Sequence, residues 1–399
     1  MLDYQNIITR IRDILLQILI FVISPILSLG VNIYNIRKGN YSYLWIISLI
    51  MSFIALFTPL FEDSYRHALY YLEYKKDTGY LRMYSMQGLD LVLSTLSYNF
   101  SKLNIPFEYI RALFTFICYQ ISFTLLRATV KDKYTRLKNF NLFLIYFLSV
   151  PFLWIVNGMR MATAAYVVVL AWLYLYKYNK KLVSTVLCII SLLIHFASVL
   201  YILLLLAYSI NKRINIRYVL IAVVAMYLIF NTNILISLLS SAGLQILSNV
   251  INLYVLNSAD TFSANMSQNG LIAMIVERIP IIVSFIYIIK YRNKISTRYY
   301  NFTLASICLF ISTIPFVIIF QRLAYFITPT CLYIILNEAD KTSVRKILLI
   351  SVIISQLSYI YGYRELFLDT PFIYIMISPL IYCFNLNTIE NIKQAIYES

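Results

Sequence analysis

Three kinds of residue in this 399-residue chain are equipped for chemistry. The first is arginine. Arg66, Arg82, Arg111, Arg160, Arg278, Arg322 and Arg364 all lie outside the basic clusters that punctuate the chain. A planar guanidinium grips phosphate or carboxylate through two parallel hydrogen bonds, which an ammonium cannot do. Arg160, Arg278 and Arg322 stand at the edges of apolar runs, where a charge held in hydrocarbon costs roughly 2.5–3.5 kcal/mol. Each needs a partner or water. Snorkelling to the interface is the structural alternative, and for Arg278 so is pairing with the adjacent Glu277.

The second is the acidic, aromatic segment Glu62-Asp63-Ser64-Tyr65-Arg66-His67, followed by Tyr70, Tyr71 and Tyr74. Carboxylates and tyrosines suit a sugar, through hydroxyl hydrogen bonds and stacking on apolar sugar faces. An interfacial aromatic belt explains such tyrosines equally well in a chain that holds 36 of them. The third is His195, in the run Ser191-Leu192-Leu193-Ile194-His195-Phe196-Ala197-Ser198. In a soluble core such a histidine is usually a satisfied packing residue. Inside a membrane segment an ionisable side chain points to function, and imidazole is the natural general base near neutral pH. No Gly-rich phosphate loop, zinc motif or nucleophile elbow occurs, and with two histidines in the chain a His-rich metal site is excluded. Neither a metal nor any other cofactor is expected.

The elements that carry these residues must be membrane helices. The chain is 61% hydrophobic and 13% charged, against about 45–50% and 25% in soluble domains. Disorder, collagen, coiled coil and a disulfide scaffold are excluded. Cys118, Cys188, Cys308, Cys331 and Cys383 all lie in apolar runs and read as buried small hydrophobes. The fold class is therefore an all-α polytopic integral membrane protein, one transmembrane domain over residues 1–399. A crossing needs about 20 apolar residues. The candidates are Ile14–Tyr34, Tyr43–Phe61, Phe107–Leu126, Leu142–Val156, Ala162–Tyr176, Tyr218–Leu238, Leu271–Ile289, Phe302–Phe320, Leu323–Leu336, Ile347–Tyr361 and Phe372–Phe384, about 11 in all. The first is expected to be an uncleaved helix rather than a signal peptide.

The net charge of +16 sits in short clusters between these runs: Arg37–Lys38, Arg127 to Lys138, Lys177 to Lys181, Lys212 to Arg217, Lys290 to Arg298 and Lys341 to Lys346. That is the mark of cytoplasmic loops, so nucleic acid is not an expected partner. The opposite face then receives loops near 62–87 and 240–270, the stretch Asn157–Met161, the Gln321–Arg322 corner and Gly362–Pro371. One segment breaks the alternation. Leu182–Ile210 has basic clusters at both ends, yet its 29 residues span only about 43 Å as a helix. A single crossing would leave one cluster on the wrong side, and two full crossings would need more residues. It is expected to form a broken, re-entrant hairpin with its tip near His195–Ser198. Irregular backbone at that depth survives only against protein or a water-filled cavity.

Three short motifs, in this order, give the chain a family resemblance. They are Asp63-Ser64-Tyr65 running to Tyr70-Tyr71; Gly158-Met159-Arg160-Met161-Ala162 opening a helix, with Lys180-Lys181 and His195-x-x-Ser198 after it; and Gln321-Arg322-Leu323-Ala324-Tyr325-Phe326. The chain resembles the EpsG-type branch of the Wzy-like polysaccharide repeat-unit (O-antigen) polymerases of bacterial inner membranes. The resemblance implies a multi-pass inner-membrane glycosyltransferase. Such an enzyme transfers a glycan from undecaprenyl diphosphate to the next lipid-linked repeat unit on the periplasmic side. Its partners would be undecaprenyl-diphosphate-linked glycans, membrane lipids and a chain-length regulator. On that reading Arg160 and Arg322 share a cavity and bind diphosphate, with Arg278, Arg66, Tyr65, Gln321 and Tyr325 as further substrate contacts. His195 is favoured as base, because an aspartate is a weak one unless desolvation raises its pKa; Asp63 then orients a sugar or balances a cation. An O-antigen ligase, a lipid-linked oligosaccharide flippase and a membrane acyltransferase are the competing readings. They are disfavoured respectively by the absence of a large periplasmic insertion, of a two-fold repeat and of a histidine in a short polar motif.

Overall fold

Long apolar runs broken by 8 glycines and 9 prolines leave a membrane-embedded backbone one economical way to satisfy its polar groups, the helix. The computed structural model describes residues 2–76, 90–130, 136–231, 241, 268–314, 317–339, 341–369, 376 and 379, and every regular element among them is helical. The first part of the chain forms α1 (Leu2–Ile23), α2 (Pro25–Arg37), α3 (Leu44–Phe57), α4 (Glu62–Lys75), α5 (Leu91–Lys102), α6 (Glu108–Thr129), α7 (Arg136–Leu148), α8 (Phe152–Asn157), α9 (Met159–Tyr176) and α10 (Lys181–Ile194). Then follow α11 (Val199–Leu205), α12 (Ile216–Asn231), α13 (Gln268–Glu277), α14 (Ile279–Lys290), α15 (Thr297–Ser312), α16 (Val317–Glu338), α17 (Thr342–Gly362) and α18 (Arg364–Asp369).

Among the described residues four stretches are long and apolar enough to cross a membrane: Glu108–Thr129, Met159–Tyr176, Ile319–Glu338 and Thr342–Gly362. Shorter apolar helices accompany them, including Leu44–Phe57, Lys181–Ile194 and Ile279–Lys290. Most of the expected span Phe372–Phe384, the end of Tyr218–Leu238, most of the 240–270 loop and all of residues 77–87 lie outside the described residues.

Four boundaries differ from expectation. The run Ile14–Tyr34 is interrupted at Ser24, where Pro25 ends α1 and opens α2; proline lacks an N–H and is tolerated only in a first turn. Pro151 likewise separates α7 from α8. Residues 62–75, expected as loop, form α4. Its polar face hid a helical spacing of apolar positions, with Ala68 and Tyr71 buried. Finally, Gln321–Arg322 is not a corner. Helix α16 runs straight through it, because glutamine and arginine are good helix formers, and α15 ends earlier, at Ser312.

Contacts gather the chain into two compact units. One comprises Met1–Val167, Ile189–Ser198 and Tyr363–Ser399, the other Val168–Cys188 and Val199–Gly362. In the first, α3 is buried nearly all round and packs along α6. The Oγ of Ser52 donates to the Ala112 carbonyl at 2.6 Å. Arg111 reaches from α6 to the end of α3 and donates to the carbonyls of Pro59 (3.2 Å), Leu56 (3.4 Å) and Thr58 (2.8 Å). Those groups would otherwise be orphans of a helix end. Arg111 is thus a structural cap, fully buried one turn from buried Glu108.

In the second unit Trp172 is the centre of an aromatic cluster with Tyr176, Tyr299, Phe302 and Tyr333, at ring separations of 5.4 to 5.7 Å. The same unit closes the base of the expected hairpin. The Tyr208 hydroxyl donates to Asn179 Oδ1 at 2.7 Å, and its ring lies 5.1 Å from that of Tyr176. Asn179 turns the chain between α9 and α10 with a φ of 55°, a left-handed conformation that asparagine tolerates better than most residues.

Candidate active site

The first unit assembles one charged cluster from four separate stretches of sequence. Helix α4 supplies Asp63, Arg66 and His67 near its start. The side chain of Ser64 closes a turn with the backbone of Phe61, and its N–H donates to Asn157 Oδ1 at 3.3 Å. That bond holds the end of α8 beside the start of α4. The chain then turns at Gly158, whose N–H donates to the Trp154 carbonyl at 2.8 Å. A Cβ there would sit 3.2 Å from that same oxygen, so the tight junction favours glycine. Two residues later, Arg160 occupies the first turn of α9.

His195 arrives where α10 stops. Its N–H still bonds the Ser191 carbonyl at 2.9 Å, after which a short 3₁₀ turn, Phe196–Ser198, replaces the helix. Ser191 Oγ donates to the Ala164 carbonyl at 3.1 Å, pinning the end of α10 one helical turn from Arg160. The break at the expected tip is therefore real, and it delivers the imidazole to the cluster.

The residue that joins these parts is Asp90, just ahead of α5. Aspartate at a helix start normally caps a backbone N–H with its side chain. Here it makes no such bond. Oδ1 lies 2.7 Å from His195 Nδ1, and Oδ2 accepts from Arg160 Nη1. The other guanidinium nitrogen of Arg160, Nη2, is 3.3 Å from Asp63 Oδ1, an oxygen that Arg66 Nη2 also contacts. His67 Nε2 is 3.5 Å from the same atom. Arg160 thus bridges two carboxylates, each of which also holds or faces an imidazole.

Burial alone would raise both carboxyls. It is outweighed at Asp90 by the His195 hydrogen bond and the Arg160 charge, and at Asp63 by His67, Arg160 and Arg66. Both are held below the ordinary carboxylate range and are ionised at neutral pH. An ionised carboxylate only accepts, so His195 carries a proton on Nδ1 and donates it to Asp90. His67 is pushed down, chiefly by burial and also by the two guanidinium charges, against the pull of Asp63. It is neutral.

Of the residues singled out from sequence, Asp63, Arg66, Arg160 and His195 come together here. Tyr65 packs on the apolar cluster of Leu60, Ala68, Leu93 and Phe107. The Tyr71 hydroxyl is committed to the Ile105 carbonyl at 2.7 Å. Arg278, Gln321, Arg322 and Tyr325 belong to the second unit. There Arg278 pairs with Glu277 at 3.3 Å and faces the Phe320 ring, the structural alternative its neighbour offered. The Arg322 carbonyl accepts from Tyr201 at 2.9 Å, and the Tyr325 side chain is buried. Arg82 lies outside the described residues.

Sequence reasoning overlooked Asp90 and, though it singled out the segment that ends at His67, gave that histidine no role. Asp90 stands alone between apolar neighbours, so nothing in the local sequence marks it. Among the described residues no group of three or more His, Cys, Asp or Glu side chains is placed to hold a metal ion. The sequence model of the EpsG family matches residues 63–369 of the chain. That span contains every member of the cluster. No curated protein and no solved structure matches the chain.

Proposed function

The chain belongs to the EpsG family of polysaccharide polymerase-type membrane proteins, and from that premise we propose that it is a lipid-linked sugar glycosyltransferase. Its reaction joins oligosaccharide repeat units carried on undecaprenyl diphosphate, at the periplasmic face of a bacterial inner membrane. The observation that carries this reading is the Asp90 carboxylate shared between His195 and Arg160. It sets a base and a cation side by side, as glycosyl transfer with a diphosphate leaving group requires.

In the proposed step the acceptor hydroxyl hydrogen-bonds His195 Nε2. As its oxygen attacks the anomeric carbon, the proton moves to Nε2. The sugar–phosphate C–O bond breaks, and lipid diphosphate leaves with the electron pair. Asp90 holds the imidazole in the required tautomer and balances the imidazolium that forms. Arg66, more than half exposed, and Arg160 stabilise the diphosphate, and Asp63 holds both guanidiniums in place until it binds. Arg322 and Arg278 in the second unit are assigned to anion binding by residue type. The break at His195 is read as the tip of a re-entrant hairpin whose two ends face the cytoplasm.

The test is a gel of surface polysaccharide from a strain lacking the chain. A polymerase defect leaves a single capped repeat in place of long chains. Loss of every repeat would instead indicate a flippase or ligase. His195→Ala expressed in that strain should reproduce the single-repeat product, and restoration of long chains by His195→Ala would remove it from the base role.

A further inference from the structure

His67 has no part in the mechanism above, yet it is the most deeply buried member of the cluster, at 1% exposure. Neither ring nitrogen has a hydrogen bond. Buried polar atoms without partners are rare in folded proteins and call for an explanation. Nε2 is aimed at Asp63 Oδ1 from 3.5 Å, and closing by about half an ångström would make a good hydrogen bond. What competes for that oxygen is cationic: Arg66 and Arg160 already hold it.

The charges facing His67 are Asp63 and Arg66 on its own helix and Arg160 from α9. Asp90 acts through Arg160, and the Tyr70 ring lies 6.0 Å away. Helix α6, packed on the other side, carries Glu108 and Arg111, the latter committed to the end of α3. Helix α8 contributes no charge. Two carboxylates balance two guanidiniums, and the His67 imidazole adds no charge. A bound diphosphate would make this poorly hydrated cluster strongly negative. It would also draw Arg66 and Arg160 from Asp63 and mask the positive charges that hold a proton off His67.

We propose that His67 is a positioning residue that takes over Asp63 when an anionic diphosphate engages Arg66 and Arg160. One proton from solvent binds Nε2, which then donates to Asp63 Oδ1, so that Asp63 exchanges guanidinium partners for an imidazolium. Diphosphate binding is thereby coupled to uptake of a proton. This inference rests on the diphosphate reading of the two arginines.

The chain holds two histidines, so isotope-labelled histidine gives two imidazole signals in the purified full-length protein, and His195→Gln identifies which is His67. Inorganic pyrophosphate is the probe, with binding measured separately by calorimetry. Saturation is expected to raise the titration midpoint of the His67 signal and convert neutral imidazole to imidazolium. His67→Gln should bind pyrophosphate more weakly than wild type, the gap widening as pH falls and approaching tenfold per pH unit at most, the limit for one linked proton. A His67 signal that does not move, with pyrophosphate demonstrably bound, overturns the exchange and leaves the diphosphate reading standing. If pyrophosphate does not bind, both fall.

Discussion

The Nδ1 of His195 and Oδ1 of Asp90 lie 2.7 Å apart although 105 residues separate them in sequence. One comes from the broken end of α10 and the other from the start of α5. The break leaves the imidazole at the very end of α10, beside the carboxylate.

The first prediction concerns this pair. Asp90→Asn preserves the shape but removes the charge and lets the imidazole adopt the other tautomer. Glycosyl transfer should fall by about 10²–10⁴-fold, with donor binding largely retained. An in vitro chain-extension assay on lipid-linked repeat units decides it, and near-normal turnover in Asp90→Asn would detach Asp90 from the chemistry.

Arg160 is the bridge between the two carboxylates, so its removal should affect stability as well as rate. Arg160→Met leaves Asp90 and Asp63 facing each other with little water, and breaking a buried pair costs about 3–5 kcal/mol. Since Asp63 is a quarter exposed, the lower end applies. A lowered melting temperature in detergent is expected for Arg160→Met, and a smaller one for Arg160→Lys, which keeps the charge but cannot span both partners. Lys at Arg322 should likewise shorten the chains. Full chain length in both lysine variants would refute the diphosphate assignment.

Arg111 is the counter-case that separates structural from functional arginines. Arg111→Met should lower the yield of folded protein and its melting temperature, because three carbonyls at the end of α3 lose their donor. Among molecules that do fold, specific activity per mole should be little changed. A soluble, stable Arg111→Met protein with no activity would reassign it to the site.

Much of this was readable in the sequence, for identifiable reasons. The apolar runs announce helices, and the mismatch between the length of Leu182–Ile210 and its flanking charges located the break at His195. Arg160 was visible because a charge at the edge of an apolar run needs a partner or water. Asp90 was not, since nothing local marks a carboxylate whose partners lie 70 and 105 residues away. Residues 62–75 read as loop because charge and tyrosine dominate them, while the apolar positions that bury α4 are few. Gln321–Arg322 misled in the opposite way. A charge was taken as the end of a helix, yet a helix carries a charge readily near its own start.

The proposed re-entrant hairpin makes a geometrical prediction independent of activity. The Tyr208 hydroxyl reaches Asn179 at 2.7 Å, so cysteines placed at both, too far apart for a direct disulfide, should be joined by a short bifunctional thiol cross-linker in an otherwise cysteine-free chain. In intact cells, single cysteines at Lys181 and Lys212 should label from the same face. Labelling from opposite faces would require the segment to cross the membrane.

The last prediction is the pH dependence of activity, where two kinds of group offer different windows. Asp63 and Asp90 are both held below their ordinary values. A carboxylate depressed in the folded state contributes stability above its unfolded pKa near 3.9 and loses it only as pH falls through the folded value. Neither carboxylate therefore titrates between about pH 5 and 8. With His195 as base, loss of activity toward acid follows from the chemistry alone, because a protonated imidazole cannot accept the acceptor's proton. Wild type should lose activity on the acid side with a single-proton slope. Asp63→Asn should keep measurable activity and a limb of the same shape, since an orienting hydrogen bond partly survives the change. If instead Asp63→Asn is inactive while His195→Ala retains turnover, the base is Asp63.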